Sequence, residues 1–148
     1  MVDFIGSFNK GLSAAQQAEK NREEIYSVLE SLNKQLEDAS KGTVKIDVLQ
    51  KTIPLFEMFT NPKTTAKPYS FLAAFNPLAE IYKPSELAKW ALDPNGYPCL
   101  ITTEEGDIYC EDKSGLERGL QILISSPMVG EKIYSVMKQK LKAVDDPF

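Results

Sequence analysis

Residues 87–112, LAKWALDPNGYPCLITTEEGDIYCED, determine the fold more than any other stretch of the chain. Two turn signals divide it, DPNG at residues 93–96 and EEGD at residues 104–107. The apolar residues around these turns predict three strands, near residues 87–92, 97–103 and 107–111. The first of them has an alternative as a short helix capped by Ser85. The stretch therefore predicts a small antiparallel β-meander.

The same stretch contains both cysteines of the chain, Cys99 and Cys110. A two-residue turn at residues 104–105 places the two thiols opposite each other, whereas a three-residue loop with a bulge at Gly106 pairs Cys99 with Glu111. The sequence favours the bulged form. A cross-strand disulfide is geometrically demanding, a metal site needs more ligands, and no basic neighbour lowers either thiol pKa. We therefore interpret both cysteines as buried, reduced thiols, and we predict no metal site and no cofactor.

Three residues of this region form a candidate catalytic set: Asp93, Glu111 and Lys113. Asp93 precedes a strand and a turn, and Glu111-x-Lys113 ends the next strand, an arrangement that resembles the PD-(D/E)xK nuclease family. In that family two carboxylates on a hairpin hold a divalent metal while the lysine positions or activates water. The resemblance covers only residues 93–113 and implies, as an alternative function, a metal-dependent nuclease. The other interpretation is a turn aspartate and a solvated strand end.

Acidic residues dominate the predicted hairpin tip. Five acidic side chains and no basic one lie within nine residues, at Glu104, Glu105, Asp107, Glu111 and Asp112. Such a tip either stays solvated and deters edge-to-edge aggregation, or docks into a basic cleft, as inhibitors and immunity-type proteins do. We therefore count Glu104, Glu105 and Asp107 among the candidate partner-binding residues.

The N-terminal residues predict a long amphipathic helix. A 4-3 alternation of mainly apolar or small residues runs through Phe4, Phe8, Gly11, Ala15, Ala18, Arg22, Ile25, Leu29, Leu32 and Leu36, and the opposite face is polar. We predict helix over residues 13–40 with an extension back to Asp3. Gly42 is placed to cap its C-terminus.

The length of this helix predicts that it overhangs the rest of the molecule. Residues 4–40 span roughly 55 Å, and a compact chain of this size has a diameter of roughly 38 Å. We expect the second half to pack on the core and the first half to bind another protein or a second copy of the chain. In the alternative interpretation Gly11 breaks the helix and the first ten residues fold back. The candidate contact residues are Phe4, Phe8, Leu12 and Ala15.

Shorter elements fill the rest of the chain. In order, we predict a half-buried strand over 43–49, a turn of helix at 54–60, an exposed loop at 60–68 and a strand at 69–75. SGLE at residues 114–117 is a capping box that opens a helix to about Ser125. Pro127 opens a second helix that runs to about Val144, with Leu141 on its apolar face.

The composition of the chain restricts its function. The 148 residues contain no histidine and carry a net charge of −4, which excludes histidine-based catalysis and disfavours binding to nucleic acid. No apolar run has the length of a membrane span, and the N-terminus lacks the pattern of a signal peptide. We therefore expect a cytoplasmic protein, with no membrane partner and no evident small-molecule ligand.

Together these patterns predict an α+β fold with a long N-terminal amphipathic helix, a small antiparallel β-meander and two C-terminal helices. The helix forms a helical arm over residues 1–41, and residues 42–148 form the α+β body of a single domain. The functional expectation is a non-enzymatic protein–protein interaction or assembly module. Inhibitors, immunity-type proteins and structural accessory proteins of phages or bacteria are examples of this class.

Overall fold

A computed structural model of the protein describes residues 1–52 and 68–143. Within these residues the chain forms the following helices and strands: α1 (Phe4–Ser40), β1 (Lys45–Lys51), β2 (Tyr69–Phe75), β3 (Ser85–Asp93), β4 (Gly96–Thr103), β5 (Gly106–Cys110), α2 (Lys113–Ser125) and α3 (Pro127–Met137). The strands form one antiparallel sheet in the order β1-β2-β3-β4-β5. The predicted α+β fold is therefore confirmed.

Helix α1 is continuous from Phe4 to Ser40, as its apolar pattern predicts. The Asp3 carboxylate caps its start by accepting a hydrogen bond from the Gly6 amide at 2.9 Å. At the other end Lys41 and Gly42 both have positive φ angles, and the Gly42 amide donates to the Glu37 carbonyl at 3.0 Å. Because Gly11 does not interrupt the helix, the fold-back interpretation is wrong.

Within the described residues, a hydrophobic core joins one face of the sheet to helices α1, α2 and α3. Helix α1 contributes Ile25, Val28 and Leu29, and the C-terminal helices contribute Leu116, Leu120, Leu123, Val129 and Val136. The pairing register places the sheet's share on a single face, at Ile46, Leu72, Ala74, Ala88, Trp90, Cys99, Ile101 and Cys110. The second half of α1 is therefore part of the core.

The turn between β4 and β5 differs from the expected bulged loop. Thr103 pairs with Gly106 across a two-residue turn, so Cys99 lies opposite Cys110. The Thr103 hydroxyl donates to the Gly106 carbonyl at 2.8 Å and accepts from the Glu105 amide at 3.2 Å. This register keeps Cys110 on the core face, and a shift by one residue would turn it toward solvent. The core therefore determines the register.

The other strands lie close to their predicted positions. Strand β2 has the predicted bounds of 69–75, while β1 begins and ends two residues later than predicted, at Lys45–Lys51. The stretch from residue 87 belongs to strand β3, so the alternative of a short helix capped by Ser85 is wrong. The helix predicted at 54–60 lies outside the described residues. The same is true of the loop predicted at 60–68, except for residue 68.

Two helix boundaries near the C-terminus were predicted incorrectly. Helix α2 begins at Lys113, and Asp112 caps it by accepting a hydrogen bond from the Gly115 amide at 2.7 Å, in place of the expected capping box. Helix α3 ends at Met137, before the predicted end near Val144. The chain then leaves the helix because Leu141 forms an antiparallel bridge with Ala79.

Candidate functional site

The first half of α1 projects beyond the core. Every residue from 1 to 17 is exposed, and Ala18 is the first buried residue of the helix. Residues 4–17, which we call the projecting segment, span about 20 Å. The predicted overhang is therefore present in the structure.

Side-chain hydrogen bonds anchor α1 where the projecting segment ends. The Asn21 amide donates to the Asn95 carbonyl at 2.8 Å, in the turn between β3 and β4. One turn further along α1, Glu24 accepts a hydrogen bond from the Tyr97 hydroxyl at 2.8 Å. Burial and this carboxylate neighbour both raise the pKa of Tyr97, which keeps the phenol protonated as a donor. The helix therefore leaves the body at a fixed point.

Glycine at position 96 lets the helix approach this turn. Gly96 has a φ angle of +95°, and a Cβ atom added there would lie 2.6 Å from the Cβ of Asn21. Real Cβ atoms do not approach each other so closely, and a side chain is strained at this φ angle. The contact between this turn and α1 therefore requires a glycine at position 96.

Three predicted contact residues form an apolar stripe on the projecting segment. Phe4, Phe8 and Leu12 are 76%, 67% and 47% exposed. Their spacing of four residues places them on one side of the helix. Ala15, the fourth predicted contact residue, is also exposed and continues the stripe. Adjoining exposed apolar side chains of this kind make the stripe a candidate interaction site.

The acidic residues that were also predicted to bind a partner do not lie on the projecting segment. Glu104 and Glu105 form the tip of the β4–β5 hairpin, Asp107 follows it, and all three are exposed. The projecting segment leaves the body at the turn between β3 and β4, and successive turns of an antiparallel sheet lie at its opposite ends. The structure therefore separates the predicted partner-binding residues into two surfaces.

The residues of the nuclease-like pattern are not brought into one cluster. Asp93 ends β3 and Glu111 follows β5, and the intervening β4 keeps their backbones about 10 Å apart. The Asp93 carboxylate instead accepts a hydrogen bond from the Asn95 amide at 3.0 Å. Over residues 1–52 and 68–143, no group of three or more acidic, cysteine or histidine side chains is arranged to hold a metal ion. Lys113 is exposed at the start of α2.

Both cysteines are free and buried, as predicted. Burial raises the pKa of the Cys99 thiol to about 12, with a smaller contribution from Cys110. Burial also raises the pKa of Cys110, where the Asp112 carboxylate adds to the effect. Helix α2 packs directly over this pair, because a Cβ atom added at Gly119 would lie 2.8 Å from the Cys110 sulfur. The thiols are part of the packing between the sheet and α2.

The buried thiols predict that the protein loses stability in alkaline solution. The folded state favours the protonated thiols, so their stabilisation is complete below the unfolded-state pKa of about 8.5 and is lost as the pH rises toward the raised folded-state values. The free energy of unfolding should fall by at most about 1.4 kcal/mol per pH unit for each thiol. Urea unfolding at several values between pH 8 and pH 9.5 measures this slope. A double variant, Cys99→Ala with Cys110→Ala, should have a smaller slope, and an equal slope would contradict the assignment.

A second surface feature, which the sequence reasoning missed, is a groove of about 340 Å³ between the sheet and the connection from α2 to α3. Buried apolar residues form its floor, including Leu87, Leu123 and Val129. Ile122 and Met128 form exposed apolar walls, at 53% and 40% exposure. The sequence shows only that Ile122 and Met128 adjoin residues on the buried faces of their helices. That signal does not reveal a gap.

The rim of this groove carries both signs of charge. Glu104 and Glu105 come from the hairpin tip, and Lys89 comes from β3. Lys132 of α3 donates a hydrogen bond to the Glu86 carbonyl at 3.0 Å, which ties α3 to the sheet at the groove. The acidic tip therefore forms part of a mixed-charge rim around an apolar floor.

No helix in the described part of the chain is both long enough and apolar enough to cross a membrane. Comparisons with protein-family models, with curated proteins and with solved structures each give no match to this chain.

Proposed function

We propose that this protein is a protein–protein interaction or assembly module that binds its partner through the projecting segment. The observation that supports this proposal is the stripe of Phe4, Phe8 and Leu12 on the exposed half of a helix whose other half belongs to the core. Burying a side chain of this kind stabilises a complex by roughly 1.5–3 kcal/mol. The three side chains of the stripe are therefore the main source of binding free energy on the projecting segment.

The mode of binding that suits this segment is a helix laid into an apolar groove. Anchors at intervals of four residues are typical of this mode. The segment continues the anchored helix α1, so a partner would not have to order it, and this preorganisation lowers the cost of binding. Its low charge, with only Asp3 and Lys10 in the first 17 residues, favours an apolar acceptor over an acidic or basic one. A cytoplasmic location belongs to the same proposal, because a reducing compartment suits two free thiols.

The variant Phe4→Asp with Phe8→Asp tests this proposal. We expect it to weaken association with the partner, either another protein or a second copy, by at least about 100-fold, because two anchors are lost and two charges would have to be buried. Thermal unfolding should be unchanged because both side chains are exposed. The readouts are solution mass by light scattering and binding of partners to the immobilised protein.

A matched control adds the same charge to the same segment without touching the stripe. Asn9→Asp with Gln16→Asp should keep the association of the wild-type protein. If the Phe4 and Phe8 variant keeps it as well, in both readouts, the proposal is wrong.

A further inference from the structure

Within the described residues, the sheet ends in two edge strands, β1 and β5. On its free side an edge strand presents backbone N–H and C=O groups that are not paired with another strand. In an antiparallel ladder every second residue directs these groups away from its partner strand. The two edges of this sheet differ in what satisfies these outward groups.

Side chains satisfy the outward groups of β1. The Asn33 side chain of α1 bonds to both the amide and the carbonyl of Ile46, each at 2.8 Å. The Asp47 carboxylate accepts a hydrogen bond from the Val48 amide at 2.9 Å. A strand that approached this edge would have to displace both side chains. The β1 edge is therefore protected against pairing.

The outward groups of β5 belong to Asp107 and Tyr109. Because Thr103 and Gly106 close a two-residue turn as a hydrogen-bonded pair, Asp107 and Tyr109 direct their N–H and C=O groups away from β4. Over residues 1–52 and 68–143, β4 is the only strand that pairs with β5. Asp107 and Tyr109 are both exposed. The β5 edge therefore offers two amides and two carbonyls to an added strand.

The charge around β5 determines which strands suit this edge. Residues 104–112 contain five acidic side chains and no basic one. Two β5 strands paired antiparallel about Ile108 would bring Glu105 of each copy next to Glu111 of the other, and like charges in such positions are destabilising. The β1 edge of a second copy is protected by its own side chains. The complementary partner is therefore a basic strand from a different molecule.

The two faces of β5 define the side-chain pattern of that strand. Asp107 and Tyr109 lie on the outer face of the sheet, and Tyr109 is 65% exposed. A lysine or arginine opposite Asp107 forms a cross-strand ion pair, and one over the Tyr109 ring forms a cation–π contact. Ile108 packs against the core and is half-buried, so apolar side chains suit the alternate positions. The matching sequence alternates basic and apolar residues.

We propose that the free edge of β5 binds an extended basic segment of another protein, which adds to the sheet as a further antiparallel strand. In this mode of recognition the backbone hydrogen bonds supply affinity, and alternate side chains supply specificity. Because the charges involved are exposed, binding weakens as the salt concentration rises. This surface is separate from the projecting segment and goes beyond the proposed function.

The test uses a synthetic peptide in which lysine and valine alternate over about seven residues, the length of a short strand. It is titrated into the isotopically labelled full-length protein at low salt and followed by nuclear magnetic resonance. The amides of Asp107 and Tyr109 should exchange quickly with solvent in the free protein and at least about 10-fold more slowly in the complex. A peptide that alternates glutamate and valine should bind at least about 10-fold more weakly.

Methylation of the peptide amides separates strand addition from charge attraction alone. The lysine residues lie opposite Asp107 and Tyr109, so their amides face β5, whereas the valine amides face away. Methyl groups on the lysine amides should weaken binding by at least about 10-fold, because the donors to β5 are lost. Methyl groups on the valine amides should leave binding unchanged. Equal binding of the parent and both methylated peptides overturns the proposal.

Variants of the protein test the same edge. Asp107→Lys should weaken binding of the lysine peptide by at least about 10-fold and strengthen binding of the glutamate peptide. Its matched control, Asp38→Lys, makes the same change at an exposed position of α1 and should bind like the wild-type protein. Tyr109→Pro removes an outward amide but no hydrogen bond to β4, and it should weaken binding of the lysine peptide as well.

Three results would each overturn the proposal. The first is a wild-type protein that does not bind the lysine peptide. The second is unchanged binding of that peptide by Asp107→Lys, whose exposed position makes loss of folding a poor explanation. The third is slow exchange of the Asp107 and Tyr109 amides in the free protein, because it would show that a second copy or another part of the chain already pairs with this edge.

Discussion

Replacing Gly96 with alanine should lower the free energy of unfolding by about 3 kcal/mol or more. Two costs combine at this position. The φ angle of +95° is unfavourable for any side chain, and the new methyl group would lie 2.6 Å from the Cβ of Asn21 on α1. A Cβ atom cannot rotate away, so either the turn or the helix must move. Urea unfolding followed by circular dichroism measures the loss.

Three other glycines separate these two costs. Gly106 has a φ angle of +140° and open space around it, and Gly119 has no positive φ angle but lies 2.8 Å, by its added Cβ, from the Cys110 sulfur. Gly106→Ala and Gly119→Ala should each lower the free energy of unfolding by about 1–3 kcal/mol, which is less than the loss expected for Gly96→Ala. Gly11→Ala has neither cost and should stabilise α1 by about 0.5–1 kcal/mol. If Gly96→Ala costs no more than Gly106→Ala, the close approach of α1 to the turn is wrong.

Replacing Asn33 with alanine should lower the free energy of unfolding by about 2–3 kcal/mol. The Asn33 amide acts as a partner for the edge of the sheet, because it donates to the Ile46 carbonyl and accepts from the Ile46 amide, both at 2.8 Å. Ile46 is buried, so alanine would leave a donor and an acceptor of its backbone unpaired. Unfolding in urea measures the loss.

The matched control for this prediction is Asn21→Ala on the same helix. Asn21 donates one exposed hydrogen bond to a backbone carbonyl, so its loss should cost about 1 kcal/mol or less. Asn33→Asp keeps the shape and the acceptor but replaces the donor with a charge, and it should be no better than alanine. Equal stability of the Asn33 and Asn21 variants would contradict the role of Asn33 at the sheet edge.

The regular elements could be predicted where local sequence determines them. The alternation of apolar residues along α1 and the glycine at position 42 define a helix almost without reference to the rest of the chain. The turn residues at 93–96 likewise define the β3–β4 connection. Because the helix length follows directly from this pattern, the sequence also predicted the projecting segment and the stripe of Phe4, Phe8 and Leu12.

Contacts between distant residues determine the features that the sequence did not predict. The EEG stretch is compatible with two turn types, and the need to bury Cys110 beside Cys99 selects one of them. Leu141 fits the apolar face of a helix, but its pairing with Ala79 ends α3 earlier. The groove was missed because periodicity shows which side of a helix is buried, and it does not show where neighbouring elements leave a gap.

The most direct test of the central claim is the solution mass of two forms of the protein over a range of concentrations: the full-length chain and a chain that lacks residues 1–12. Light scattering should give a mass that rises with concentration for the full-length chain and a constant monomer mass for the shortened chain, because truncation removes Phe4, Phe8 and Leu12. A shortened chain whose mass rises with concentration as that of the full-length chain does would contradict the claim that the projecting segment is the binding element.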